Sequence, residues 1–148
     1  MGLLAEAVGG LHARFAGQLA EHGLSAVEFE VLLRLGRSPG HALRMTDLAS
    51  QTQLTTSGIT RVIDRLERDR LVERTACPTD RRGSFAGLTA RGLARLDAVL
   101  PGHVALIEEW FTGHFTPDEL DTFLARLRTI RDAVRPDATA GAESPATH

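Results

Sequence analysis

The sequence predicts a mainly α-helical fold carrying a small β element. Three observations lead there. Apolar residues return every three or four positions through 3–21, 28–35, 55–68, 89–111 and 117–134, the spacing of helices with one buried face. Two short runs, 71–76 and 84–88, are separated by the polar stretch 77–83 and read as the strands of a hairpin. Hydroxyl residues stand just ahead of the apolar stripes, where helix caps belong.

Each element follows from its own residues. Leu3, Leu4, Ala7, Val8, Leu11, Phe15 and Leu19 form the first stripe, and His22-Gly23 ends it. Ser25 and Glu28 form a capping box, in which each side chain satisfies a backbone donor of the other. Phe29, Leu32, Leu33 and Leu35 are the expected buried face of the second helix, which Ser38-Pro39-Gly40 stops. Residues 41–44 suit a short strand, and 46–52 a short helix with Leu48 and Ala49 inward. Thr55 caps a longer helix whose inward face is Ile59, Val62, Ile63 and Leu66. Thr89 caps a long helix in which Pro101-Gly102 should introduce a kink. Thr116-Pro117-Asp118-Glu119 opens the last helix as a second capping box with Pro at its first position. From 136 to 148 the chain is rich in Ala, Thr, Pro and Gly and lacks aromatic or branched aliphatic residues, so a disordered tail is expected.

Length and composition exclude several classes. At 148 residues, 43% hydrophobic and 24% charged, the chain suits one globular unit. No apolar run approaches the roughly 18 residues of a membrane span. The start lacks a basic region ahead of an apolar one, which leads to a cytoplasmic expectation. A single cysteine, Cys77, excludes an intrachain disulfide framework and a Cys-rich zinc site. The net charge is -2, but it is unevenly spread. Residues 44–95 hold ten Arg against six acidic residues, and the rest of the chain seven Arg against thirteen. The middle segment is therefore the one suited to an anionic partner, although a solvated basic stretch would give the same balance.

The order helix, helix, short strand, helix, helix, strand, strand, helix, helix places a winged helix-turn-helix at 41–88. It is flanked by helices over 3–37 and 89–135, in one unit of residues 1–135. The flanking stripes do not obviously cover one another within one chain, and a two-fold dimer is the common solution. The outward face of the helix after Thr55 presents Thr56, Ser57, Thr60, Arg61, Asp64 and Arg65. Short hydroxyls near a helix start can bond phosphates. Arg61 or Arg65 could reach guanine in a major groove. Asp64–Arg68 and Arg65–Asp69 also have the spacing of surface ion pairs, so Arg65 is open to either role. Gly58 is costly inside a helix, and a close approach to DNA would justify it. At the hairpin tip Arg81 and Arg82 could enter a minor groove, with Asp80 holding Arg82, or the tip could be a solvated turn.

These segments resemble the core of the MarR family of transcriptional regulators. The residues that carry the resemblance are Leu54-Thr55-Thr56-Ser57-Gly58, Arg65-Leu66-Glu67, and Leu71-Val72 with Arg74. Pro78 with Asp80-Arg81-Arg82, and Leu88-Thr89 with Gly92, complete it. The resemblance is close over 44–92 and looser in the flanking helices. It implies a homodimer on a pseudo-palindromic double-stranded operator, released in many members by a small, often phenolic, effector. It implies a recognition helix over 55–68 and Arg82 as the minor-groove residue, braced by Asp80. Arg70 departs from the glycine usual at its position; if that position is left-handed, the side chain costs ~1 kcal/mol or more.

The remaining residues are less pointed. His12, Phe15 and Trp110, with Arg14, are candidate ligand-lining residues, and the aromatic ones suit core or dimer packing as well. Neighbouring Arg residues could activate Cys77 for oxidant sensing, but an inert cysteine in the wing is the favoured reading. The six histidines show no helical metal spacing, so no metal and no cofactor are expected. No phosphate-cradling Gly loop or nucleophile elbow is present, so no catalytic residue is expected and the chain is not read as an enzyme. A winged-helix dimer that binds protein instead of DNA is the alternative function.

Overall fold

The computed structural model describes residues 2–77 and 80–140; the side chains of Cys77 and of residues 80–82 lie outside that set. The order is α1 (Gly2–Glu21), α2 (Ala26–Gly36), β1 (Ala42–Arg44), α3 (Met45–Thr52), α4 (Thr56–Arg68), β2 (Val72–Cys77), β3 (Asp80–Leu88), α5 (Ala90–Trp110) and α6 (Pro117–Val134). Short 3-10 turns lie at Pro39–His41, Thr112–His114 and Pro136–Thr139.

The expected caps form. The Ser25 amide donates to Glu28 Oε2 at 2.9 Å, and the Glu28 amide donates to Ser25 Oγ at 3.3 Å. Burial pushes the Glu28 carboxyl up, but the Ser25 hydrogen bonds and Arg65 outweigh it and hold the group below its ordinary value. Thr89 accepts from the Gly92 amide at 3.0 Å and donates to the Arg70 carbonyl at 2.7 Å, tying the start of α5 to the end of α4. Gly92 is needed there, because a Cβ would overlap the Leu71 carbonyl oxygen. Pro101 does not end α5, which remains a single helix through it.

α2 is the central helix. Phe29, Val31, Leu32 and Leu35 are buried, while Leu33 is only half-buried. Val31 lies outside the single stripe read from the sequence, because α2 is packed against α1, α3, α4, α5 and β3 and so buries more than one side. The sheet is antiparallel in the order β1-β3-β2, with Leu43 opposite Ala86 and Arg44 opposite Phe85. Leu43, Ala86 and Val72 are buried on its helix-facing side. Alternation along β2 puts Arg74 on that same side, facing α4.

The end of α4 settles the question at Arg70. The Arg70 amide bonds the Glu67 carbonyl and the Leu71 amide bonds the Leu66 carbonyl, both at 2.9 Å. This is the paired closure that needs a left-handed residue, and Arg70 has φ 58°. The tail departs from expectation at its beginning. Residues Pro136–Thr139 form a 3-10 turn with Ala138 buried, because hydrogen bonds to α2 and α3 supply what apolar area does not. Residues 141–148, including His148, lie outside the described residues.

The outer helices remain open among the described residues. Leu3, Val104, Ile130 and Val134 are 81%, 54%, 58% and 71% exposed, and α6 buries no side chain fully. At the junction of α1, α2 and α5, the His103 ring lies 4.8 Å from Phe15 and 4.5 Å from Phe29, centroid to centroid. Its Nδ1 is buried without a hydrogen-bond partner among the described residues. Burial pushes the His103 pKa below its ordinary 6.5.

Arg70→Gly should raise stability by about 1 kcal/mol by removing the left-handed side chain, read as a shift in the urea midpoint. The depressed His103 pKa means that, below pH 6.5, the unfolded chain takes up a proton that the folded chain refuses. Stability should therefore fall as the pH drops from 6.5 toward the lowered value. His103→Leu should flatten the urea midpoint over that window relative to the parent, and an unaltered difference would show that His103 does not titrate this way.

Candidate nucleic-acid interface

α3 and α4 are joined by the three residues 53–55. Gln53 is left-handed, φ 57°, and the Leu54 amide returns to the Ala49 carbonyl at 3.0 Å. Thr55 then opens α4 by accepting from the Gly58 amide at 3.1 Å. A Cβ on Gly58 would lie 3.2 Å from Thr55 Oγ1 and 3.5 Å from Leu54 Cβ. Tight packing inside the turn therefore accounts for this glycine without any partner molecule.

α4 is cleanly two-sided. Ile59, Val62, Ile63 and Leu66 are buried, and Thr55, Thr56, Ser57, Thr60, Arg61, Asp64 and Arg65 are exposed. The exposed groups differ in their freedom. Thr60 Oγ1 donates to the Thr56 carbonyl at 2.8 Å, so its hydroxyl is engaged within the helix while its oxygen can still accept. Arg65 turns back to Glu28 on α2, Nε to Oε1 3.2 Å, and not to Asp69. Asp64 pairs with Arg74 at 2.7 Å and not with Arg68. Arg61 makes no ion pair among the described residues and is exposed. Of Arg61 and Arg65, Arg61 is the one exposed without an ion pair among the described residues.

Arg74 holds the hairpin to the helix. It pairs with Asp64 and Glu67, its Nη2 donates to the Thr60 carbonyl at 3.1 Å, and its amide donates to Glu67 Oε1 at 2.9 Å. Between α4 and the sheet lies a cleft of about 310 Å³ lined by Arg44, Thr46, Thr56, Thr60, Arg74 and Ser84 among others. The Arg44 guanidinium stands 5.5 Å over the Phe85 ring. Sequence reasoning gave Arg44 no role and used Arg74 only as part of the family resemblance. Their positions depend on strand register, and only alternation counted from Leu43 and Val72 would have hinted at them. Asp80, Arg81 and Arg82 belong to β3, with Asp80 opposite Cys77, but their side chains, like that of Cys77, lie outside the described residues.

The candidate ligand residues are not brought together. Trp110 lines a groove of about 420 Å³ with Leu4, Val8, Leu11, Phe111 and Phe123. Arg14 lies over the Trp110 ring at 4.1 Å. Phe15 packs instead on His103, and His12 is exposed. Among the described residues, no group of three or more His, Cys, Asp or Glu side chains is placed to hold a metal ion, and no helix is long and apolar enough to cross a membrane.

A helix pair with a tight turn, a capped second helix with a hydroxyl- and Arg-bearing outer face, and an adjoining hairpin define a winged helix-turn-helix protein of the DNA-binding kind. A family model described as "MarR family" matches residues 22–83. The chain is 38% identical over 89 residues to the HTH-type transcriptional regulator MhqR of Bacillus subtilis, covering 60% of each chain. It is 35% identical over 113 residues to the HTH-type transcriptional repressor YetL of the same organism, covering 76% of this chain and 65% of YetL. The matched stretch thus spans less than two thirds of either relative. The crystal structure of Sco3205, a MarR family transcriptional regulator from Streptomyces coelicolor in complex with DNA, superposes with a TM-score of 0.83. That match has 32% identity over 90% of this chain and 87% of Sco3205. The chain belongs to the MarR family of transcriptional regulators.

Removing Arg74 leaves two carboxylates beside each other without their shared cation. Arg74→Ala should cost roughly 1–2 kcal/mol. A double-mutant cycle with Asp64→Ala should show a coupling of about 0.5–1.5 kcal/mol in urea unfolding. A coupling of zero would mean that the pair does not link hairpin and helix.

Proposed function

We propose that this chain is a homodimeric, sequence-specific repressor that binds a pseudo-palindromic double-stranded operator and is released by a small aromatic or phenolic effector. The observation that carries the reading is the two-sided α4. Its apolar stripe is buried, and its exposed side bears Thr56, Ser57, Thr60 and the outward Arg61. In this reading Thr55, through its cap, fixes the start of the recognition helix, and Thr56 and Ser57 meet phosphates. Arg61 reads a guanine edge, and Arg65 supports the helix through Glu28. Arg81 and Arg82, with Asp80 as brace, would enter the minor groove from the start of β3. Arg44, beside the cleft, is a further phosphate contact.

Dimerisation is supported by the exposed Leu3, Leu4, Val8, Ile130 and Val134 on α1 and α6, which one chain leaves uncovered. The effector is supported by the groove beside Trp110, where aromatic walls adjoin the Arg14 cation. A DNA partner implies a cytoplasmic protein, and the reading gives the chain no reaction to catalyse.

The test is an anisotropy titration against the DNA upstream of the protein's own gene, at two salt concentrations and with excess unrelated DNA. Affinity should fall steeply with salt as Arg–phosphate contacts release counterions. Arg61→Ala should weaken specific binding by about 1–3 kcal/mol and relax preference at one base pair. Arg82→Ala should weaken binding without lowering the urea midpoint. Salt-independent or absent binding would sink the reading in favour of a winged-helix dimer that binds protein. An effector should quench the fluorescence of Trp110, the only tryptophan, as it releases the DNA.

A further inference from the structure

Beyond α6 the chain folds back onto the winged-helix lobe. Arg135 leaves helical geometry, φ -146° and ψ 70°, and the turn Pro136–Thr139 follows. Arg135 Nη2 donates to the carbonyls of Ser50 at 3.2 Å and Gln51 at 3.0 Å. Those carbonyls lie in the last turn of α3, where local donors run short: Ser50 receives only a long 3.4 Å bond from the Gln53 amide. Gln51 is 2% exposed, and its Nε2 donates to the Ala140 carbonyl at 2.5 Å. Arg34 on α2 donates to the Ala138 carbonyl at 3.2 Å, and Ala138 is 4% exposed. A buried amide side chain is costly to leave unmatched, so Gln51 in this place calls for the segment that covers it.

The two ends of this segment matter. At one end is α6, whose Ile130 and Val134 remain exposed for a second copy. At the other is the last turn of α3, which leads through residues 53–55 directly into α4. We propose that residues 135–140 form a strap that locks the winged-helix lobe to α6. Arg135 and Gln51 are its positioning residues, and they set the spacing and angle of the two recognition helices in the dimer. The inference rests on the dimeric DNA-binding reading above. Two recognition helices must meet half-sites about 34 Å apart. An attachment at the foot of α3, in addition to the α2 and α5 connections, restricts how the lobe can move relative to α6. The strap touches the end of α3 opposite Arg44, and the role proposed for it is geometric.

The test uses the full chain and two versions of the operator, one natural and one with a single base pair inserted between the half-sites. The parent should prefer the natural spacing roughly tenfold. Arg135→Ala, and independently Ala138→Asp, should reduce that preference to about twofold, whereas Arg135→Lys, which keeps a donor, should retain most of it. A variant that is merely less stable lowers both affinities together and leaves their ratio alone. An unchanged ratio in both variants overturns the strap. Failure of the parent to bind either operator overturns the DNA-binding reading itself, and the strap's role with it.

Discussion

Ile59, Val62, Ile63 and Leu66 lie along one side of α4, and they are buried with the side chains of α2, α3 and β2. Everything the outer face can do depends on this contact. Each such side chain contributes about 1.5–3 kcal/mol on burial, more than any exposed ion pair nearby can supply. It also fixes the rotation of the helix. With four buried positions set, Thr56, Ser57, Thr60 and Arg61 have no orientation left but outward. The turn contributes the remaining constraint, because left-handed Gln53 and the Thr55 cap determine where the helix begins.

The polar contacts divide the basic residues into two groups. Arg65 and Arg74 are spent on the protein, one on Glu28 and the other on Asp64 and Glu67. Arg61 and Arg44 make no ion pair among the described residues and face solvent. Partly exposed pairs of this kind contribute little to stability, but they fix geometry. Arg74 carries the hairpin with α4, so that wing and recognition helix present one surface. Glu28 both caps α2 and receives Arg65, so α4 is also referred back to the central helix.

Away from the lobe the balance reverses. α1 and α6 keep large apolar side chains in solvent, and the chain compensates locally with paired rings such as Phe111, Phe115 and Phe123. Such surfaces call for a second molecule. The segment after α6 works differently, since it holds to α3 through backbone carbonyls and a buried amide with little apolar area. Composition alone could not reveal this, because carbonyl groups are the same in every residue.

Periodicity and capping made most of the architecture legible. Ser25 with Glu28, Thr55, Thr89 and Thr116 with Glu119 mark four helix starts, because capping is local and its partners lie three residues away. The inner and outer faces of α4 were equally readable, since they depend only on the helical repeat. Contacts between residues distant in sequence were not. The sequence suggested Asp64 with Arg68 and Arg65 with Asp69, and the folded chain offers Arg74 and Glu28 instead. Likewise it grouped Phe15 with Trp110, but Phe15 on α1 packs on His103 while Trp110, at the end of α5, lies under Arg14. The sequence alone determined which segments are helices, where they start and which side of α4 faces out, because short-range backbone and solvent terms decide those. Tertiary structure decided which charges are spent and which remain, and that the chain beyond α6 docks on α3. Those outcomes depend on which surfaces packing brings within hydrogen-bond reach.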